Sequence, residues 1–440
     1  MNNKSLYIYY FVLILALILY TNMNYSPNIL IRLGYLAALV LPLANRVELF
    51  PAVIICAFGI AKNTFAYPLM PTDIFYYIFL ALYFALWSLY RRDFQTGIKP
   101  LFFIALVYLA FNDIAMQGEL SQMSIVFFVC ILFFICLEGQ EDDIGIQILP
   151  LSFILISLAI SYWVLFCPEA QINSYNKAGE MEQKGWTDPN YLSAVLGMGL
   201  VVAVRDLFIG ANKRLYISVL LLTVLSSSIA LLILASRGAI LSVIIAVVAL
   251  FVFSKTERRT KIIAIILAAI FIIFLYTNQY IDFVMARIEA DNSTGSHRTD
   301  IWQSKLRDFF ALDSPLNWIF GVGQSEGAKL GDYLGSSVKV LSTHNDYVSI
   351  LIYYGIVGLA IFTNVITYPI KICSKEDRPQ IIALLVYLLM CSMTIEPLAL
   401  GNFVYWGFLF YIVMLARQSQ AMELIYEGEE EFVYEDEEQD

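Results

Sequence analysis

Three stretches carry residues that could do chemistry at neutral pH. The first is Ser236-Arg237-Gly238, an arginine between two apolar runs with almost no loop. The second is Ser296-His297-Arg298-Thr299-Asp300, which opens a segment with Ile301, Trp302, Lys305, Leu306, Phe309 and Phe310. The third is Thr343-His344-Asn345, where a polar loop meets an apolar run. Guanidinium groups can bind phosphate oxygens bidentately, and an imidazole titrating near about pH 6.5 can accept a proton at neutral pH. Together these residues could supply anion binding and general-base chemistry. Each also has a plainer reading. A lone arginine at a helix end can extend to lipid headgroups. Arg298 can be a solvated residue on a surface helix. His344 can be a helix-start histidine with local hydrogen bonds, and His297 a plain loop residue.

The spacing around Arg298 predicts an amphipathic helix, because its apolar pairs recur every four residues. Asp313-Ser314-Pro315 ends it, and Thr294 or Ser296 could cap its start. Arg298 then lies in the first turn, where unpaired backbone N–H groups and the helix dipole already favour an anion. Arg287, upstream at the edge of the apolar run, is a weaker candidate of the same kind. Asp188-Pro189-Asn190 starts one apolar run and Glu396-Pro397 ends another. Acids within a membrane are functional by default, but capping explains helix ends equally well. Gly321-Val322-Gly323 does not complete a dinucleotide pattern and reads as a turn.

No metal site emerges. The acids between 282 and 332 are scattered singly, so arginine is the better partner for phosphate charge. Of the six cysteines, most sit in or beside apolar runs, and no Cys-x-x-Cys occurs. Neither a disulfide framework nor a zinc site is supported. No cofactor is implied.

These groups need elements to position them, and the composition says which. The chain has 440 residues, 60% of them hydrophobic and only 15% charged. Charge that scarce cannot coat a soluble surface of this size. The expected fold is an all-α polytopic membrane protein of about fourteen transmembrane helices. The apolar runs fall at 6–20, 28–45, 49–61, 72–90, 99–116, 119–137, 144–166, 189–209, 214–235, 237–254, 261–280, 345–370, 380–396 and 400–416. One large loop, 281–344, carries short amphipathic helices. Residues 1–420 read as a single membrane-embedded domain. Residues 421–440 hold ten carboxylates and no Lys or Arg, which accounts for the net charge of −10. Such a like-charge block is expected to be a disordered cytoplasmic tail. Nothing suggests nucleic acid.

Basic residues orient the bundle. They flank the connections at Arg91, Arg92 and Lys99; at Arg205, Lys213 and Arg214; at 255–261; and at Lys371, Lys375 and Arg378. With about fourteen spans, all four fall on the side of Lys4 and the tail. Both termini are then cytoplasmic, and Arg237 and the large loop are outside.

In combination, these elements resemble the O-antigen ligase and O-antigen polymerase superfamily. The matching pieces are Asp188-Pro189-Asn190-Tyr191-Leu192, Ser236-Arg237-Gly238, Arg298 with Trp302, Gly321-Val322-Gly323, and His344-Asn345 followed by Gly355 and Gly358. The resemblance covers roughly 188–410 and rests on the conjunction of motifs with topology. It implies an enzyme of the bacterial inner membrane that moves a glycan from an undecaprenyl-pyrophosphate carrier to an acceptor hydroxyl on the periplasmic face, without a metal. Carried over by position, Arg237 and Arg298 would grip the pyrophosphate, with Arg287 behind them. His344 would be the base, and Asn345, Asp188 and Asn190 would support it. A ligase would take lipid A–core as acceptor, and a polymerase a second lipid-linked repeat. A protein oligosaccharyltransferase is a third variant. A lipid-linked oligosaccharide transporter predicts charges at mid-membrane and inverted repeats, which the sequence lacks. A structural scaffold would leave the arginines and His344 without a reason.

Overall fold

The computed structural model describes residues 12, 86, 100–137, 144–166, 174–175, 181–182, 188–209, 214–254, 256–290, 298–331, 343–396, 398–399, 402 and 404–420. The first four expected runs, apart from Val12 and Leu86, and the acidic tail lie outside them.

Two helices open the described chain, α1 (Pro100–Gln117) and α2 (Gln122–Leu137). Next comes α3 (Ile144–Phe166). A two-residue hairpin follows, β1 (Ser174–Tyr175) pairing antiparallel with β2 (Met181–Glu182). Then come α4 (Pro189–Ile209), α5 (Arg214–Leu234), α6 (Arg237–Phe253) and α7 (Arg258–Thr277). The loop region contributes α8 (Asp282–Ala290), α9 (Arg298–Phe310), α10 (Pro315–Phe320) and α11 (Gly323–Lys329). Last are α12 (Asp346–Ile372), α13 (Arg378–Ser392) and a final helix, α14, at 404–420. Each expected run from 99 onward contains a helix among its described residues, and the helix expected at Arg298 is α9.

α1, α4, α5, α12 and residues 149–166 of α3 are long and apolar enough to cross a membrane. α7 and α8 together add a sixth, bent by 64°. Residues 237–253 and 378–392 form shorter apolar helices. Large apolar side chains such as Phe111, Leu222, Ile244 and Ile273 face outward on α1, α5, α6 and α7. A soluble chain would not leave so much contiguous apolar surface bare. The chain is a multi-pass helical membrane protein.

The interior is built on α4, whose run from Leu192 to Val204 is buried. It packs against α3, α5 and α6, and α6 packs along α13. α14 is held by rings: Phe127 meets Trp406 at 5.0 Å and Phe153 meets Phe408 at 5.2 Å. At one end of this bundle Tyr216 donates to Asp206, and Thr256 donates to the Phe208 carbonyl. The C-terminus of α4, the start of α5, the end of α6 and the start of α7 therefore share that end. The opposite end holds the start of α4, the α5–α6 turn and the end of α13.

One element differs from its sequence pattern. The apolar run of α12 is continuous, yet the helix breaks at Gly355, with φ 68°. Gly321, at φ 83°, fits into that break. A Cβ on Gly355 would strike the Ile319 carbonyl, and one on Gly321 the Tyr353 carbonyl, so only glycine suits either position. The break frees two carbonyls, and both find donors: Val322 N–H meets Ile352 O at 3.0 Å and Tyr108 Oη meets Tyr354 O at 2.6 Å. Gly321 and Val322 thus link α10 to α11, Gly323 opens α11 instead of completing the expected turn, and the link anchors the loop helices to the bundle.

Candidate functional site

The start of α4 carries Asp188 and Asn190. Asp188 Oδ1 accepts from the Asn190 backbone N–H at 2.7 Å and from its Nδ2 at 3.0 Å. This is a helix cap with Pro189 at the first helical position, where its missing N–H costs nothing. Asn190 Oδ1 is left to accept from Ser236 Oγ at 2.9 Å. The two motifs, 46 residues apart, are thereby in direct contact.

Ser236 makes no side-chain cap to α6, because its hydroxyl is engaged with Asn190. Arg237 is the first residue of α6 and is partly buried. Ala235, just before, is held at φ 50°. Its carbonyl accepts from Arg287 Nη1 at 2.6 Å, so α8 is tied to the turn that presents Arg237.

The end of α13 links this turn to the loop. A Cβ on Gly238 would lie 2.7 Å from the Thr394 side chain. The Thr394 carbonyl accepts from Arg298 Nη1 at 2.5 Å. Arg298 is the first residue of α9, and Trp302, one turn on, donates from Nε1 to Thr343 O at 2.6 Å. α9 therefore spans from Thr394 to the residue before His344.

Asn345 is the N-cap of α12, with Oδ1 accepting from Tyr347 and Val348 N–H at 3.0 and 3.2 Å. His344, immediately before it, is left-handed at φ 50°. Burial, and then the Arg298 charge, push its imidazole below the ordinary 6.5, while Asp188, Glu396 and the Ile395 backbone pull the other way. The imidazole is therefore neutral at pH 7 and lies within the electrostatic reach of Arg298 and Asp188.

Seven of the residues singled out in the sequence occur at this end of the bundle: Asp188, Asn190, Arg237, Arg287, Arg298, His344 and Asn345. Asn345 and Asp188 act as caps. His297 lies outside the described residues. Sequence reasoning missed Thr394 and left Glu396 open between a functional acid and a helix cap. Glu396 instead reaches away from its own helix to His344 and α12. Among the described residues, no group of three or more His, Cys, Asp or Glu is arranged to hold a metal ion.

Fold and site define a helical membrane protein with arginines, an imidazole and acids gathered at one end of its bundle. Residues 221–363 match the O-antigen ligase family model, in keeping with the resemblance seen in the sequence. The matched stretch contains Arg237, Arg287, Arg298, His344 and Asn345; Asp188, Asn190 and Glu396 fall outside it. No curated protein matches the chain.

Proposed function

We propose that this protein is a glycosyl-transfer enzyme that moves a glycan from an undecaprenyl-pyrophosphate carrier to an acceptor hydroxyl, acting as a ligase on lipid A–core. One observation carries the reading. Arg237 and Arg298 each occupy the first position of a helix, and Thr394 joins their surroundings. A cation at a helix N-terminus opposes the dipole, and an anion there relieves the conflict. Two such arginines beside a neutral imidazole suit a pyrophosphate next to a base.

In this reading the acceptor oxygen bonds to the anomeric carbon of the glycan. The bond from that carbon to the pyrophosphate oxygen breaks, and its electron pair leaves with the carrier pyrophosphate. Arg237 and Arg298 neutralise the leaving charge, with Arg287 adding a third cation near the same turn. The hydroxyl proton passes to His344. Charge neutralisation by arginine makes a divalent metal unnecessary.

The placement belongs to the same proposal. About fourteen spans put both termini in the cytoplasm and the loop 281–344 in the periplasm of an inner membrane. Support comes from Arg205, Arg214, Arg258, Arg259 and Lys261, which lie at the bundle end opposite Arg237.

The test uses purified full-length protein, a lipid-pyrophosphate glycan and two acceptors, lipid A–core and a second lipid-linked glycan. Transfer to lipid A–core that persists in EDTA is the expected product. Chain extension of the lipid-linked glycan alone would make the protein a polymerase. Transfer to neither, or transfer that needs added Mg²⁺, contradicts the proposal.

A further inference from the structure

Glu396 is 0% exposed and left-handed, at φ 69°. Its carboxylate gathers three donors from the start of α12. Oε2 accepts from the His344 backbone N–H at 3.0 Å. Oε1 accepts from Ser349 Oγ and, at 3.4 Å, from Tyr353 Oη. Ser349 is also bonded to Thr343 at 2.5 Å, and Thr343 Oγ1 donates to Asn345 O at 3.0 Å. His344 is thus held in a backbone conformation that a residue with a side chain seldom adopts, and the partner of its N–H is a buried acid 52 residues away.

A carboxylate this buried is costly unless donors satisfy it. Here the donors are supplied by the residue proposed as base and by the helix that follows it. The bond sets the direction in which His344 leaves the chain. Without it, the N–H would lack an acceptor and the left-handed turn would relax.

We propose that Glu396 is a positioning residue for His344: its carboxylate clamps the His344 backbone so that the imidazole faces Arg298 and the acceptor. This rests on the general-base reading above. The charged groups acting on His344 are Arg298 from α9, Asp188 from the start of α4, and Glu396 itself. Asp346 and Tyr353 of α12 lie on the Glu396 side of the cluster.

Glu396→Gln and Glu396→Leu separate clamp from charge. Glutamine can turn its oxygen to the His344 N–H and its amide to the two hydroxyls, which can accept. It keeps the clamp and removes the charge. Leucine removes both. The assay uses purified full-length protein in vesicles with a lipid-pyrophosphate glycan donor. Glu396→Gln is expected to retain kcat within about threefold, with the acid limb of its pH profile moved to lower pH, because Arg298 then acts with less opposition. Glu396→Leu is expected to lose kcat at least about tenfold, with donor KM within about twofold. A wild-type kcat in Glu396→Leu, a loss confined to KM, or a kcat lost at least about tenfold in Glu396→Gln would each overturn the inference. If Glu396→Leu does not fold, the kcat of Glu396→Gln decides, since the clamp predicts that it is retained. His344→Ala distinguishes the two levels. If it is inactive while Glu396→Leu is normal, only the clamp fails; if it transfers normally, the base reading fails and the clamp with it.

Discussion

Arg298 Nη1 donates to the Thr394 carbonyl at 2.5 Å, and the Thr394 side chain in turn abuts Gly238, the residue after Arg237. One residue at the end of α13 thus sets the separation of two arginines that lie 61 positions apart. If both arginines hold one pyrophosphate, that separation governs catalysis more than either charge does alone.

Gly238→Val tests this spacer. Its side chain would push into Thr394, and overpacking of this kind costs about 1–3 kcal/mol. Donor KM is expected to rise at least about tenfold while the protein still inserts in the membrane. A variant with unchanged donor KM would show that the spacing does not matter.

Asn190→Leu removes the acceptor for Ser236 and a donor to Asp188. Loss of a hydrogen bond that leaves its partner unpaired costs about 1–3 kcal/mol. The melting temperature in detergent is expected to fall by a few degrees, and Ser236→Ala in the same background should add little. Additive losses would mean that the two side chains do not act as a pair.

The pH dependence follows from His344. Burial first, and Arg298 second, hold its folded value below the ordinary 6.5. Below that pH the unfolded chain takes up a proton that the folded chain resists. The stability tied to this group is therefore complete above about 6.5 and lost as pH falls toward the folded value. Transfer follows the same direction, since the neutral imidazole is the base. The acid limb of kcat/KM is expected below pH 6.5; a limb at or above it would contradict the assignment.

Gly355→Ala addresses the loop anchor. The added methyl would meet the Ile319 backbone, which cannot rotate aside, and φ 68° disfavours any side chain. The loop helices α8 to α11 are expected to become protease-sensitive in intact vesicles, with transfer lost. Unchanged protection would show that the break in α12 is not what holds them.

Much of the frame was legible in the sequence. The runs at 144–166 and 189–209 coincide with α3 and α4, because uninterrupted apolar length between polar ends leaves little choice. α9 was legible from its four-residue period, and the start of α12 near Asn345 from the meeting of a polar loop with an apolar run. The break at Gly355 was not, since the apolar pattern runs straight through it and its cause is a turn 34 residues earlier. Glu396 and Thr394 were hidden for the same reason. Local sequence shows that Glu396 ends a helix, but only the antiparallel packing of α12 and α13 brings it under His344. Three of the four non-glycine positive-φ residues among those described are Ala235, His344 and Glu396. Such strain, about 1–3 kcal/mol each, leaves no mark on composition or periodicity.

The most direct measurement is the single-turnover rate of glycan transfer by purified wild-type and His344→Ala protein, each saturated with lipid-pyrophosphate donor. The account predicts a fall of about 10²–10⁴-fold in His344→Ala with donor affinity unchanged. Equal rates in the two proteins would contradict it.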